Sequence, residues 1–504
     1  MPSVDQAVLR SWSVPPAATF AIALTALIYV RGWWLLRRAG SPNIAPRQAM
    51  TFLLGLFSLW VALASPMDVF NSFVLTAHML QHMVLMMIAP PLLLLGAPLV
   101  PLVRGLPIFA AREFAGPFVN SSLAKRVGST LTHPVCALVL MGLAMFAWHT
   151  PALYELALRS PAWHQVEHAC FLITSLIFWW PVVQPWPSKA QWPRWAMVPY
   201  LLVADLQNTA LSAILAFSDR VLYPSYSEAP RLFGFSALED QVAAGAIMWV
   251  VGSLAFVVPA IIIAVQCLSR RPIRAPIATA RPREASSFES FPQKVPFLSR
   301  VLPVRWRGEP AEAVSFVFLL IVTCACFSWL LTAGPNDDDN QALRFQDASR
   351  SFAVAVFGPP GDLTAGSSPF SVLVQDRNTH ETLLDTMVDL AAHPAADSQR
   401  PPSTAQASYA DSENKLLQAA DLDLPTEGDW TLRITVQQGA NSDDFLLPLR
   451  VVKPGGGIAS RWPYLVILGF WFLLLVAYAW RRRPSGGRSR GRVCLADGPD
   501  RDRQ

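Results

Sequence analysis

The sequence predicts a mainly α fold: a polytopic membrane helix bundle, with a seven-helix core and two further spans, carrying a small extracytoplasmic β-sandwich. Three observations predict it. Only 15% of the 504 residues are charged, against about 25% in soluble domains, and the mean hydropathy is positive at +0.34. Nine segments are long and apolar enough to cross a bilayer, near residues 17–36, 47–65, 74–100, 133–150, 163–183, 195–217, 240–267, 313–333 and 462–480. Between the last two lies a polar stretch, near 335–458, whose apolar residues alternate with period two.

The first apolar run ends in Arg37-Arg38, a stop-transfer flank rather than a small-residue cleavage site, so no removable signal peptide is expected. The third contains Pro90-Pro91, which should end or kink its helix, leaving a helical part over about 72–90. Loop charge then sets topology. Arg31, Arg37, Arg38 and Arg47 follow the first span, Arg104, Arg112, Lys125 and Arg126 the third, and Lys189 and Arg194 the fifth. The alternate loops are poorer in cations, so the N-terminus is expected outside and the C-terminus in the cytoplasm of a bacterial inner membrane. Nine spans have the matching parity. The domains read as a membrane core over 1–268, a basic linker over 269–312, the eighth span at 313–333, the sandwich over 334–459, the ninth span over 460–483 and a disordered cytoplasmic tail over 484–504. The Pro/Arg-rich linker is expected on anionic lipid headgroups.

In the outer domain the clearest strand is Trp430–Val436, with Trp430, Leu432, Ile434 and Val436 on one face. The runs 351–357, 370–376 and 445–452 add to it, and five to seven short strands argue a small sandwich. The small, polar residues from Ala395 to Ser408 read as a mobile loop. His380, His393 and Met387 have no ligand spacing and read as surface residues.

Several function classes drop out. The net charge of +5 comes from arginines in loops and at the C-terminus, so no nucleic-acid partner is implied. Of the six cysteines, none forms a CxxC or CxxCH, which removes a disulfide framework and c-type haem attachment. Zinc-dependent hydrolysis lacks its HExxH.

What remains is histidine. His78 and His82 stand one turn apart in the third span, among Met79, Met83, Met86 and Met87. His164 and His168 repeat that spacing in the first turns of the fifth span, and His149 closes the fourth. Topology sets all five at the outer side; His133, at the inner start of the fourth span, reads as structural. Two such pairs on separate helices can converge on one ion. Imidazole with the thioethers of Met79 and Met83 suits copper, as Cu(I); bis-histidine haem b is the alternative. Glu155, Glu167 and Asp240 lie at the same level as acceptors that could fix imidazole tautomers, although Glu167 stands about 100° round its helix from His168 and need not face the same centre.

The stretches HMLQHM (78–83), APPLLLLGAP (89–98), WHTPALYELAL (148–158), WHQVEHACF (163–171) and EDQVAAGAIMW (239–249) together resemble the caa3-type CtaG family of cytochrome c oxidase assembly factors, over about 50–265. The resemblance implies a non-enzymatic part in maturing a haem-copper oxidase, by delivering copper to it, with oxidase subunits and a periplasmic copper donor as partners. The motif positions are His78, Met79, His82, Met83, His149, His164, Glu167, His168 and Asp240. The outer domain is similar to small YtkA/FixH-like modules. Two other readings of the same residues are a haem b-bearing membrane redox protein and a copper permease.

Overall fold

A computed structural model describes residues 3–108, 111, 121–269, 342–349, 351–359, 362–395 and 401–452. The expected eighth and ninth spans, the tail and all but the first residue of the linker lie outside the described residues.

Proline opens most of the helices, because its missing N–H costs nothing in a first turn and its φ is preset. Helices α1 (Val4–Arg10), α2 (Pro16–Arg38), α3 (Pro46–Ala64) and α4 (Pro66–Val69) come first. The third span is α5 (Leu75–Met83), a π-helical turn (Val84–Ile88) and α6 (Ala89–Leu95), followed by α7 (Leu99–Gly105). Next are α8 (Ser122–Leu131), α9 (Pro134–Trp148), α10 (Pro151–Arg159) and α11 (Pro161–Val183). The core closes with a 3₁₀ turn (Arg194–Ala196), α12 (Met197–Ala216), α13 (Pro224–Glu228) and α14 (Ala237–Ser269). Among the described residues six helices or continuous helical runs are long and apolar enough to cross a membrane, and α8 with α9, bent by 69°, makes a seventh. The molecule is a multi-pass membrane protein.

Pro90-Pro91 does not end the third span. The helix runs on to Leu95, and the reason is visible. Pro90 cannot donate to the carbonyl of Met86; the Trp179 indole donates to it instead, at 3.0 Å from α11. With that carbonyl satisfied and the π turn taking up the extra residue, the two prolines fall in the first turn of α6, where their N–H groups are not needed. Glycine sets a second close approach: a Cβ on Gly32 of α2 would meet the Pro101 carbonyl of α7 at 1.8 Å, and one on Gly105 the Ile28 carbonyl at 1.8 Å.

The C-terminal domain has two sheets, ordered β1-β2-β4-β7 and β3-β9-β8-β5-β6. The strands are β1 (Ala342–Ala348), β2 (Phe352–Gly358), β3 (Leu363–Thr364), β4 (Gly366–Asp376), β5 (Met387–Pro394), β6 (Ser403–Ala407), β7 (Gln418–Leu424), β8 (Gly428–Gln438) and β9 (Asn441–Val452). The expected faces hold: Trp430, Leu432, Ile434 and Val436 are all buried in the core between the sheets. The expected loop at Ala395–Ser408 is in part a strand. β6 pairs antiparallel with β5, Val388 opposite Ala407, because an open sheet edge supplies backbone partners even to a weakly β-forming run. His380 and His393 are exposed.

β2 and β4 read as nearly continuous apolar runs because both their faces are covered. Val354, Val356, Val372 and Val374 point into the sandwich. Ala355, Phe357 and Leu373 point the other way, against Ala7 of α1, Phe70 and Leu232. The Phe73 ring meets Phe357 edge-on at 5.4 Å, Gln375 donates to the Arg231 carbonyl at 2.8 Å, and the Lys415 amide donates to the Ser11 hydroxyl at 3.0 Å. The sandwich is thereby docked on the end of the bundle where α5 begins.

Candidate metal centre

α5 and α11 bring two histidine pairs face to face. His78 and His82 lie one turn apart on α5; Ser160-Pro161 starts α11, so His164 falls in its first turn and His168 in the next. One ligand atom from each of these four residues lies within 4.8 Å of all the others. The Nε2 atoms of His78 and His82 are 3.0 Å apart. Two nitrogens on one tetrahedral ion, each about 2.0–2.1 Å from it, are about 3.3 Å apart. The donor set has the spacing of a coordination sphere.

Glu167, expected at the level of the histidines as an acceptor, faces them despite its angle to His168. Its two carboxylate oxygens lie 3.9 Å from His78 Nε2 and 3.9 Å from His82 Nε2, too far to hydrogen-bond and about the span of an ion held between them. Counted from His164 rather than from His168, Glu167 is at i+3, on the same stripe of the helix.

These groups are unsatisfied. His78, His82, His168 and Glu167 are at most 4% exposed. His82 Nδ1, the Nε2 atoms of His149, His164 and His168, and both Glu167 oxygens are buried without a hydrogen-bond partner. Buried polar atoms almost always have partners, and here the Nε2 atoms of His164 and His168 and both Glu167 oxygens, all beside the four-histidine group, have none. An ion of the class that imidazole and carboxylate bind would satisfy them together.

The surroundings aim the rings. Burial pushes the Tyr226 phenol well above its ordinary range, so it keeps its one proton, which it gives to the Asn71 carbonyl at 2.7 Å. The contact from His78 Nδ1 to that phenol oxygen, 3.2 Å, must then be donated by the imidazole. That leaves the Nε2 lone pair of His78 free to ligate. His149 is set the same way, its Nδ1 donating to the Met145 carbonyl at 2.7 Å. Tyr223 donates to the His149 carbonyl at 3.0 Å and stacks on Tyr154, centroids 3.9 Å apart. Sequence reasoning passed over these three tyrosines. Tyr154 lies inside the 148–158 motif, and Tyr223 and Tyr226 sit close together in the connection between α12 and α14.

The other expected residues do different work. Asp240 touches no imidazole: its carboxylate accepts from the backbone N–H of Leu75 at 2.6 Å and of Thr76 at 3.1 Å, capping the helix that bears His78 and His82. Glu155 accepts from the Ser225 amide at 3.1 Å and hydroxyl at 2.6 Å, and so holds the short helix that carries Tyr226. His149 stands just outside the four-histidine group, its ring 6.5 Å from that of His82. Met79 and Met83 each follow a histidine by one position, about 100° round the helix, and pack in the apolar core. His133 lies away from the group, against Trp192 at 5.7 Å.

Residues 27–270 match the family model described as cytochrome c oxidase caa3 assembly factor (Caa3_CtaG). Uncharacterized proteins of Mycobacterium bovis and Mycobacterium tuberculosis are each 26% identical over 255 residues, 48% of this chain and 37% of theirs. One from Mycobacterium leprae is 26% identical over 236 residues, 45% of this chain and 36% of its own. The match thus spans little more than a third of those relatives. No solved structure matches the chain.

Proposed function

From a membrane core that belongs to the caa3-type cytochrome c oxidase assembly factors, we propose that this chain is a non-enzymatic factor that holds a copper ion at the periplasmic side of the membrane and helps deliver it to the oxidase. His78, His82, His164 and His168 supply nitrogen, and Glu167 supplies a compensating negative charge. The observation that carries the reading is the convergence of four ligand atoms within 4.8 Å in a buried, otherwise unsatisfied site. Such close packing favours an ion over a macrocycle. Imidazole binds copper and zinc alike; the copper requirement of the oxidase that the family serves selects between them. On this reading the docked sandwich, beside the start of α5, receives a copper donor or an oxidase subunit.

Metal analysis of the purified full chain tests this. Wild type should carry about one copper per chain, and a His78→Ala/His82→Ala double variant that still folds should carry almost none. Equal copper in both, or zinc in the wild type after copper-replete growth, refutes the reading.

A further inference from the structure

The sandwich packs against both stretches of chain that close on His78. The first is the turn into α5. Phe70 and Leu232 are buried in one cluster with Ala355, Phe357 and Leu373 of the sandwich. Ala77, the residue before His78, packs on the same cluster, and the Phe73 ring meets Phe357 edge-on. Phe70 and Phe73 stand on either side of Asn71 in sequence, and the Asn71 carbonyl takes the Tyr226 proton at 2.7 Å.

The second stretch is the one that follows α13. Gln375 lies two residues after Leu373 on the outward face of β4 and is only 5% exposed. Its amide nitrogen donates twice, to the His380 carbonyl of its own domain at 2.9 Å and to the Arg231 carbonyl of the membrane core at 2.8 Å. On the other side, Glu155 of α10 holds Ser225. Tyr226, whose phenol accepts from His78 Nδ1 at 3.2 Å, lies between these two ties. Packed interfaces switch between discrete arrangements rather than stretching continuously. Lifting the sandwich would unpack Phe70, Phe73 and Leu232 together and abandon the Arg231 carbonyl. The hydrogen bond that sets the His78 tautomer would then lose support on both its sides.

We propose that Gln375 and the apolar face beside it position the histidine centre from outside the membrane core: the docked sandwich keeps His78 ready to ligate, and its displacement weakens the hold on the ion. The inference rests on the histidine centre binding an ion, as proposed above, and adds how that ion is let go. A protein surface that competes for the outward face of β2 and β4 would trigger the release.

Copper(I) affinity of the purified full chain, measured by chelator competition, tests it. Gln375→Leu keeps the volume but cannot donate, and should lower the affinity by about fivefold or more, the low end of coupling between two sites. Phe357→Ala should act in the same direction. Val436→Ala, in the core between the sheets, weakens the sandwich without touching the bundle and should leave the affinity unchanged. Coupling is reciprocal, so saturating copper(I) should slow proteolysis between bundle and sandwich in wild type. It should do so much less in Tyr226→Phe, whose docking contacts are intact. A merely structural contact gives no such metal dependence. Copper bound equally tightly by wild type, Gln375→Leu and Phe357→Ala, or a proteolysis rate that copper leaves unchanged, overturns the inference while the histidine centre stands. Wild type that binds no copper removes the centre itself, and the inference with it.

Discussion

Tyr226→Phe removes one oxygen that ligates nothing, and the structure says what should follow. That oxygen gives its proton to the Asn71 carbonyl at 2.7 Å and accepts from His78 Nδ1 at 3.2 Å, with the Tyr154 hydroxyl also at 3.2 Å. Phenylalanine fills the same space but takes the phenol acceptor away from the buried His78 Nδ1–H. An abandoned buried donor costs about 1–3 kcal/mol, and the ring can escape that cost by moving its proton to Nε2. The proton then occupies the lone pair that would ligate. Loss of a partner of this kind lowers metal affinity by about 10- to 100-fold, or about 1.4 to 2.7 kcal/mol. Competition against a calibrated chelator measures it on the purified chain. Tyr223→Phe is the comparison: it loses a bond to the His149 backbone carbonyl and leaves every ligand tautomer in place, so affinity should change much less. Affinity unchanged in Tyr226→Phe within about twofold, with His78→Ala still abolishing binding, would refute the claim that this phenol sets the His78 tautomer.

Other consequences can be checked on the same material. Glu167→Gln keeps the shape of a fully buried side chain but removes its charge, so metal affinity should fall by about tenfold or more while the fold persists, as read by the same competition. Asp240→Ala abandons two backbone N–H groups at the start of α5 and should cost about 2–3 kcal/mol of stability in detergent unfolding, with Asp240→Asn recovering part of it. Acidification should release the ion, because imidazole ligates only when neutral; metal retained after dialysis across falling pH gives the curve, and retention that does not vary with pH would exclude histidine ligation. Phe357→Ala removes the ring packed against Phe73 and should loosen the sandwich from the bundle, seen as faster proteolysis between the two, by an equilibrium effect of up to about 3 kcal/mol.

The amino-acid sequence by itself determined the spans of the core, the strand faces of the sandwich and the two i,i+4 histidine pairs. All of these are local periodicities: apolar run length, alternation, and the angle between neighbours on one helix. It could not decide how α5 and α11 are turned about their axes, and that rotation decides the ligand set. With α11 turned so that His164 and His168 meet α5, Glu167 comes inward with them, while Met79 and Met83 pack into the core. Long-range pairing also decided the supporting cast. Asp240 caps a helix 165 residues away in sequence, Tyr226 orients a ring 148 residues away, and Trp179 satisfies the carbonyl that Pro90 leaves open. No periodicity encodes such contacts. They follow from the requirement that every polar group buried in a bilayer find a partner, which only the packed bundle can supply.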